Sequence, residues 1–199
     1  MPYKDKGRQL EAQRNYYLAN KDRYREAHRR NKRRNKEYAN CLKIQCCCCG
    51  MKDKECLDFH HLGEKTKTIC QLVRDVTSIE NLVSEIAQCE VICANCHCKK
   101  HRPFVISDGS NWKNFEEKRI KKRRWFIGFI SQSECEVCGE RDSRCLELHH
   151  VRQKRYKISY LLTSGHSLEY LKEEISRCEA LCANCHRRQH HSEEIMLDN

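Results

Sequence analysis

CANCHCKKH, residues 93–101, returns as CANCHRRQH, residues 182–190, at a distance of 89 positions. The echo extends upstream: residues 46–101 align with 135–190 at that one offset, without a gap, and 24 of the 56 positions are identical. The identities fall in blocks. Cys46, Cys49 and Gly50 match Cys135, Cys138 and Gly139, and Cys56, Leu57, His60 and His61 match Cys145, Leu146, His149 and His150. Cys89, Glu90, Cys93, Ala94, Asn95, Cys96, His97 and His101 find the same residues at 178, 179, 182–186 and 190. Most loops tolerate insertions, so a gapless repeat argues that both copies keep one fold.

Each copy carries a CxxC…CxxC set: Cys46, Cys49, Cys93 and Cys96, then Cys135, Cys138, Cys182 and Cys185. Two residues between thiolates let both sulfurs reach one tetrahedral ion, and zinc favours four such soft ligands in structural sites. The expectation is therefore two structural Zn²⁺ ions. A glycine after each opening CxxC permits the sharp turn of a knuckle. The segment between the two CxxC pairs is longer than in simple zinc fingers, which points to a treble clef, with the knuckle first and a helix N-terminus second. Cys56, Cys145, Cys89 and Cys178 lack a CxxC partner and read as small buried residues. Cys47, Cys48 and Cys98 occur only in the first copy and could offer other registers; the repeat selects Cys46 and Cys49.

Composition agrees with a metal-built fold. With 39% hydrophobic and 34% charged residues, a single large core is excluded, and small domains short of apolar surface need disulfides or metals. The 17 cysteines could serve either purpose, but their number is odd. No secretory h-region or bilayer-length apolar run is visible. The expected setting is reducing and intracellular, cytoplasmic or nucleoid-associated rather than secreted, where cysteines act as ligands.

The net charge of +11 is uneven: residues 1–45 hold 14 Lys/Arg against 5 Asp/Glu. Arg29, Arg30, Lys32, Arg33 and Arg34 form one basic run, and Lys121, Lys122, Arg123 and Arg124 end a second. An isolated run of this kind is usually a solvated arm. Here each precedes a cysteine module, and tyrosines (Tyr16, Tyr17, Tyr24, Tyr38) are interleaved in the first. The combination favours a polyanion partner, of which a phosphate backbone is the commonest, and no membrane.

The resulting organisation is a basic, helical DNA-binding arm over 1–45 with a turn at Ala19–Asn20, and a first module over 46–101. A basic linker or helix follows over 102–134, with a loop-like part at 102–111, then a second module over 135–190 and an acidic tail over 191–199. Within the modules, CLDFHH and CLELHH alternate as strands. SIENLVSEIAQC and SLEYLKEEISRC read as helices, the second capped by Ser167 with Leu168, Leu171 and Ile175 on one face. The final CxxC leads into a last short helix. The fold class is a small, metal-stabilised α+β protein.

The histidines exceed what a structural zinc module requires. On a helix His97 and His101 stand at i and i+4, able to share one ion. On a strand His60 and His61 point to opposite faces. DFHH…CxxCH and ELHH…CxxCH resemble the signature of the HNH endonuclease family, in its zinc-containing branch with a ββα-metal core on a treble clef. Homing-type nucleases of phages and bacteria in that family carry similar basic N-terminal segments. The likeness covers 112 of the 199 residues.

The resemblance implies two tandem HNH units, with His61 and His150 as general bases that deprotonate water for attack on phosphorus. It implies one catalytic divalent cation per unit, held by His60, His97 and His101 and by His149, His186 and His190. Asp58 and Glu147, two residues before each HH pair, would orient a ligand. Imidazole-rich ligation suits Zn²⁺, Ni²⁺, Co²⁺ or Mn²⁺ at least as well as Mg²⁺. Where the family places its middle asparagine, nine residues before the CH histidine, this chain has Gln88 and Arg177. The implied function is DNA phosphodiester hydrolysis by a monomeric pseudo-dimer, one strand per unit. Two other readings stay open: a non-catalytic zinc-ribbon nucleic-acid-binding or regulatory protein, and a nuclease for RNA or branched DNA.

Overall fold

The computed structural model describes residues 6–102 and 117–197, the last five by backbone alone. The loop-like stretch expected at 102–111 therefore lies, Arg102 apart, outside the described residues. The chain divides into two compact units, Met1–Ile44 with His61–Glu90 and Gln45–His60 with Val91–Asn199, so the first repeat contributes to both.

The first unit is helical. Helix α1 (Lys6–Ala19) and α2 (Lys21–Leu42) meet at Asn20, whose side-chain amide donates to the Tyr16 carbonyl at 2.9 Å. Tyr16 and Tyr17 both pack on Tyr24 across that junction, so these rings stiffen the arm. Along α2, Asn35 and Ala39 are buried while Arg29, Arg30, Lys32, Arg33 and Arg34 are exposed. Positions i and i+4 share a helix face, which is why a chain so rich in charge still docks on one side. Asn35 Nδ2 fixes the docking by donating to the Thr77 carbonyl at 2.8 Å. Thr77 lies between α3 (Ile69–Arg74), opened by a Thr68/Gln71 capping box, and α4 (Ile79–Ile86), capped by Ser78. Leu82 and Ile86 are the buried i, i+4 pair of α4.

Each repeat makes one two-stranded sheet. Strand β1 (Leu57–His61) pairs with β2 (Cys89–Cys93), and later β3 (Leu146–His150) pairs with β4 (Cys178–Cys182). The second sheet is antiparallel, in a register running from Leu146 opposite Cys182 to His150 opposite Cys178. Both HH pairs therefore lie on strands, as the alternation predicts, while the closing strands β2 and β4 carry no such alternation. In the second unit, both knuckle glycines, Gly50 (φ 73) and Gly139 (φ 72), take the left-handed backbone that the turn needs. Helices α5 (Ala94–His101) and α9 (Ala183–Leu197) start directly on the last strand residues. Cys93 Sγ caps α5 by accepting the Cys96 N–H, and Cys182 Sγ accepts that of Cys185 in the same way. Helix α9 runs on through the residues read as a tail.

Helix α6 (Glu117–Ser131) lays Trp125, Phe126 and Phe129 against buried Leu161, Leu171 and Ile175 of α7 (Ile158–Thr163) and α8 (Leu168–Ile175). Lys122 corrects the sequence reading. It is buried, and its ammonium caps α7 by donating to the carbonyls of Leu161 at 2.6 Å and Ser164 at 2.7 Å. It therefore does not face a phosphate backbone, whereas Lys121 and Arg124 are exposed and Arg123 half-buried. Among the described residues no helix is long and apolar enough to cross a membrane.

Within this unit the two repeats grip each other reciprocally. The Asn95 N–H donates to Asn184 Oδ1 at 3.2 Å, and the Asn184 N–H donates to Asn95 Oδ1 at 2.9 Å. Arg188 meets Asp53 at 2.6 Å, and its counterpart Lys99 meets the counterpart Asp142 at 3.6 Å. His191 pairs with Glu55 at 2.8 Å, while Arg102 donates to the Arg144 carbonyl at 2.7 Å. Each of these contacts is repeated with its partners exchanged, the mark of an isologous two-fold contact, here inside one chain. The two asparagines sit at its buried centre.

Removing the Asn184 side chain leaves the buried Asn95 N–H without that acceptor, which costs about 1–3 kcal/mol. Asn184→Ala should lower the urea midpoint accordingly at unchanged slope, with Asn95→Ala doing the same.

Candidate active site and metal centres

In each repeat the knuckle and the helix start bring four sulfurs together. The Sγ atoms of Cys46, Cys49, Cys93 and Cys96 all lie within 4.8 Å of one another, as do those of Cys135, Cys138, Cys182 and Cys185. A tetrahedral ion with bonds of about 2.3 Å sets its sulfurs about 3.8 Å apart. The separations are 3.7 Å for Cys49–Cys93 and 3.6 Å for Cys138–Cys182. Burial opposes ionisation of Cys46 and Cys135, but backbone N–H groups of the knuckle and neighbouring cysteines hold their pKa values down to about 6 and about 7. Burial, then the neighbouring sulfurs, pushes Cys96 and Cys185 up. Four thiolates at this spacing need a cation, and the tetrads can hold a structural metal ion such as zinc.

The cysteines outside the tetrads behave differently. Cys56 and Cys145 are fully buried, and burial drives each to about 12, so both stay thiols. Cys89 and Cys178 are half-buried and donate to the Glu85 and Glu174 carbonyls. None of the four joins a tetrad. Cys47 and Cys48 are exposed and also stand outside it.

Three imidazoles converge beside each tetrad's helix. His60, His97 and His101 form one cluster, and His149, His186 and His190 the other, each with ligand atoms within 4.8 Å. His101 Nε2 is 3.2 Å from His60 Nδ1, and His190 Nε2 is 3.1 Å from His186 Nε2. Two nitrogens on one ion at about 2.0–2.1 Å lie about 3.0 Å apart at right angles and about 3.4 Å apart tetrahedrally. The donor set and its spacing therefore fit a divalent ion.

Carboxylates select the ring tautomers. Asp58 Oδ2 accepts from His97 Nδ1 at 3.0 Å and Glu147 Oε2 from His186 Nδ1 at 2.7 Å. Burial raises Asp58, but Arg187 and His97 more than offset it and hold its pKa below the ordinary value; His186 lowers Glu147 likewise. A proton held on Nδ1 leaves the Nε2 lone pair for a ligand role. Asp58 and Glu147 thus stand where the sequence predicts an orienting group.

The second histidine of each HH pair is fixed the opposite way, by a residue the sequence reading missed. His150 Nε2 meets Glu174 Oε1 at 3.1 Å, and His61 Nε2 meets Glu85 Oε1 at 3.0 Å. With the proton on Nε2, Nδ1 carries the lone pair. Glu174 is all but inaccessible, and the same oxygen accepts the N–H groups of Arg155 at 3.0 Å and Tyr156 at 3.1 Å. Burial pushes its carboxyl up, but these three donors leave it below its ordinary value. Glu85 and Glu174 are identical between the repeats, so the offset of 89 already marked them. The carbonyls of Gln88 and Arg177 accept the N–H of Leu62 and Val151 just after each HH pair.

No family model, curated protein or solved structure matches the chain.

Because Glu174 is lowered on folding, its contribution to stability is complete above the ordinary value of 4.5 and is lost as pH falls through the lower folded value. Glu174→Gln should therefore be less stable than the parent at neutral pH, with the gap closing on acidification. Thermal melts of both proteins across that range measure it; a gap independent of pH would count against the assignment.

Proposed function

We propose that the chain is a metal-dependent endonuclease of HNH type that hydrolyses DNA phosphodiester bonds with two tandem centres. The observation that carries the reading is that carboxylates face opposite ring nitrogens of two histidines in each repeat. One ring, held at Nδ1, offers Nε2 to a ligand cluster, and the adjoining HH pair ends in a ring, held at Nε2, that offers Nδ1 as a base. A structural zinc protein has no use for that division.

The roles follow from the chain's own groups. His150 and His61 accept a proton from water at Nδ1, and Glu174 and Glu85 stabilise the imidazolium that results. A divalent ion held by His149, His186 and His190, or by His60, His97 and His101, would supply positive charge at the scissile phosphate and its leaving oxygen. Zn²⁺, Ni²⁺, Co²⁺, Mn²⁺ and Mg²⁺ are the candidates, with imidazole ligation favouring the first four. The thiolate tetrads, each filled by zinc in a reducing compartment, hold strand and helix in register behind the rings. The matching finer fold is a treble clef with a ββα-metal core in each repeat.

Arg29, Arg30, Lys32, Arg33 and Arg34 on α2, with Lys121, Arg123 and Arg124 on α6, are the backbone-gripping residues of this reading. Double-stranded DNA is the substrate it favours. The reciprocal contacts make one chain a pseudo-dimer, suited to one centre for each strand.

Supercoiled plasmid tests the proposal. The parent protein with a divalent ion should linearise it. His61→Ala and His150→Ala should each nick without linearising, because loss of a general base costs about 100- to 10,000-fold at that centre. No cleavage with any of the five ions would refute the duplex-DNA nuclease reading, and cleavage confined to RNA or branched DNA would replace its substrate. Full linearisation by either variant would refute one centre per strand.

A further inference from the structure

Arg187 occupies the position held by Cys98 in the first repeat. Its guanidinium reaches out of its own repeat: Nη1 and Nη2 grip Asp58 Oδ1 at 2.8 Å and Oδ2 at 2.7 Å. Asp58 Oδ2 is also the oxygen that receives His97 Nδ1. The equivalent carboxylate is treated differently. Glu147 holds His186 through the shorter bond, and its other oxygen lies 3.7 Å from Arg102 Nη2, on a side chain 49% exposed. The carboxylates behind the two imidazole clusters thus differ in how far their charge is neutralised, and the difference comes from one non-identical position of the repeat.

We infer that Arg187 acts across the pseudo-two-fold as a positioning residue that weakens divalent-cation binding at His60, His97 and His101, leaving His149, His186 and His190 the tighter site. The inference rests on the proposed metal role of these histidines. Two effects share one sign. A bidentate guanidinium takes up the negative charge by which Asp58 would raise the basicity of His97. It also sets a fixed positive charge near a site that must accept a cation. Opposing both is the geometric service of holding Asp58 still. Asp58 lies on β1 and is already bonded to His97, so that service is the smaller term. Removing the guanidinium should tighten the first site, whereas a purely structural arginine would loosen it.

The test uses the full chain with its tetrads preloaded with zinc and titrated with Ni²⁺ by calorimetry. His149→Ala isolates the first cluster and His60→Ala the second. In the His149→Ala protein, Arg187→Met should tighten Ni²⁺ binding on the order of three- to tenfold, less than the about 10–100-fold lost when an orienting partner is deleted. Arg187→Lys, which keeps the positive charge, should stay close to arginine. In the His60→Ala protein, Arg187→Met should shift binding much less, because there Arg187 adds only its charge near Glu147 while its fork holds Asp58. If methionine compromises folding, Arg187→Gln serves the same purpose. Unchanged or weaker binding at the first cluster would overturn the inference while leaving the proposed function intact. Absence of Ni²⁺ binding by either cluster would overturn both.

Discussion

Mutual repulsion among four closely set thiolates is the constraint on which the rest depends. Within 4.8 Å of one another, the sulfurs of either tetrad cannot all ionise without a cation. The backbone N–H groups of Cys93 and Cys182, then those of the knuckle, favour the thiolate at Cys46 and Cys135, while burial and the neighbouring sulfurs resist it at Cys96 and Cys185. A bound ion would resolve that conflict. In doing so it would join a knuckle to the start of a helix and close a two-stranded sheet too small to stand alone. The HH strand and the CHxxxH helix would thereby be pinned together at the sulfur end, where the imidazoles converge.

On that frame, carboxylates divide the histidines into two kinds. Asp58 and Glu147 take the Nδ1 proton of a helix histidine; Glu85 and Glu174 take the Nε2 proton of a strand histidine. A helix ring and a strand ring are thus bonded through opposite nitrogens by acids on different elements. The pseudo-two-fold adds a further layer: Asn95 and Asn184 join equal halves, while Arg187 makes them unequal.

Much of this was legible in the repeat. A constant offset picked out the tetrads and triads, because both copies spell these residues identically at one spacing. Glu85 and Glu174 carried the same mark but went unremarked, since their partners lie 24 positions away and meet them only through the fold. Arg187 escaped for the opposite reason: comparing repeats discards the positions that differ. Lys122 was misread because a charge run carries no helical phase, so the one lysine turned inward to the α7 carbonyls looked like its neighbours.

The central claim is that the chain builds two chemically distinct kinds of metal centre, thiolate and imidazole. X-ray absorption on zinc-loaded protein, followed by the nickel edge after Ni²⁺ is added, tests it most directly. The account predicts a sulfur-only shell at about 2.3 Å around zinc and a nitrogen or oxygen shell at about 2.0–2.1 Å around nickel. Nitrogen in the zinc shell at two ions per chain, or sulfur around the added nickel, would contradict it.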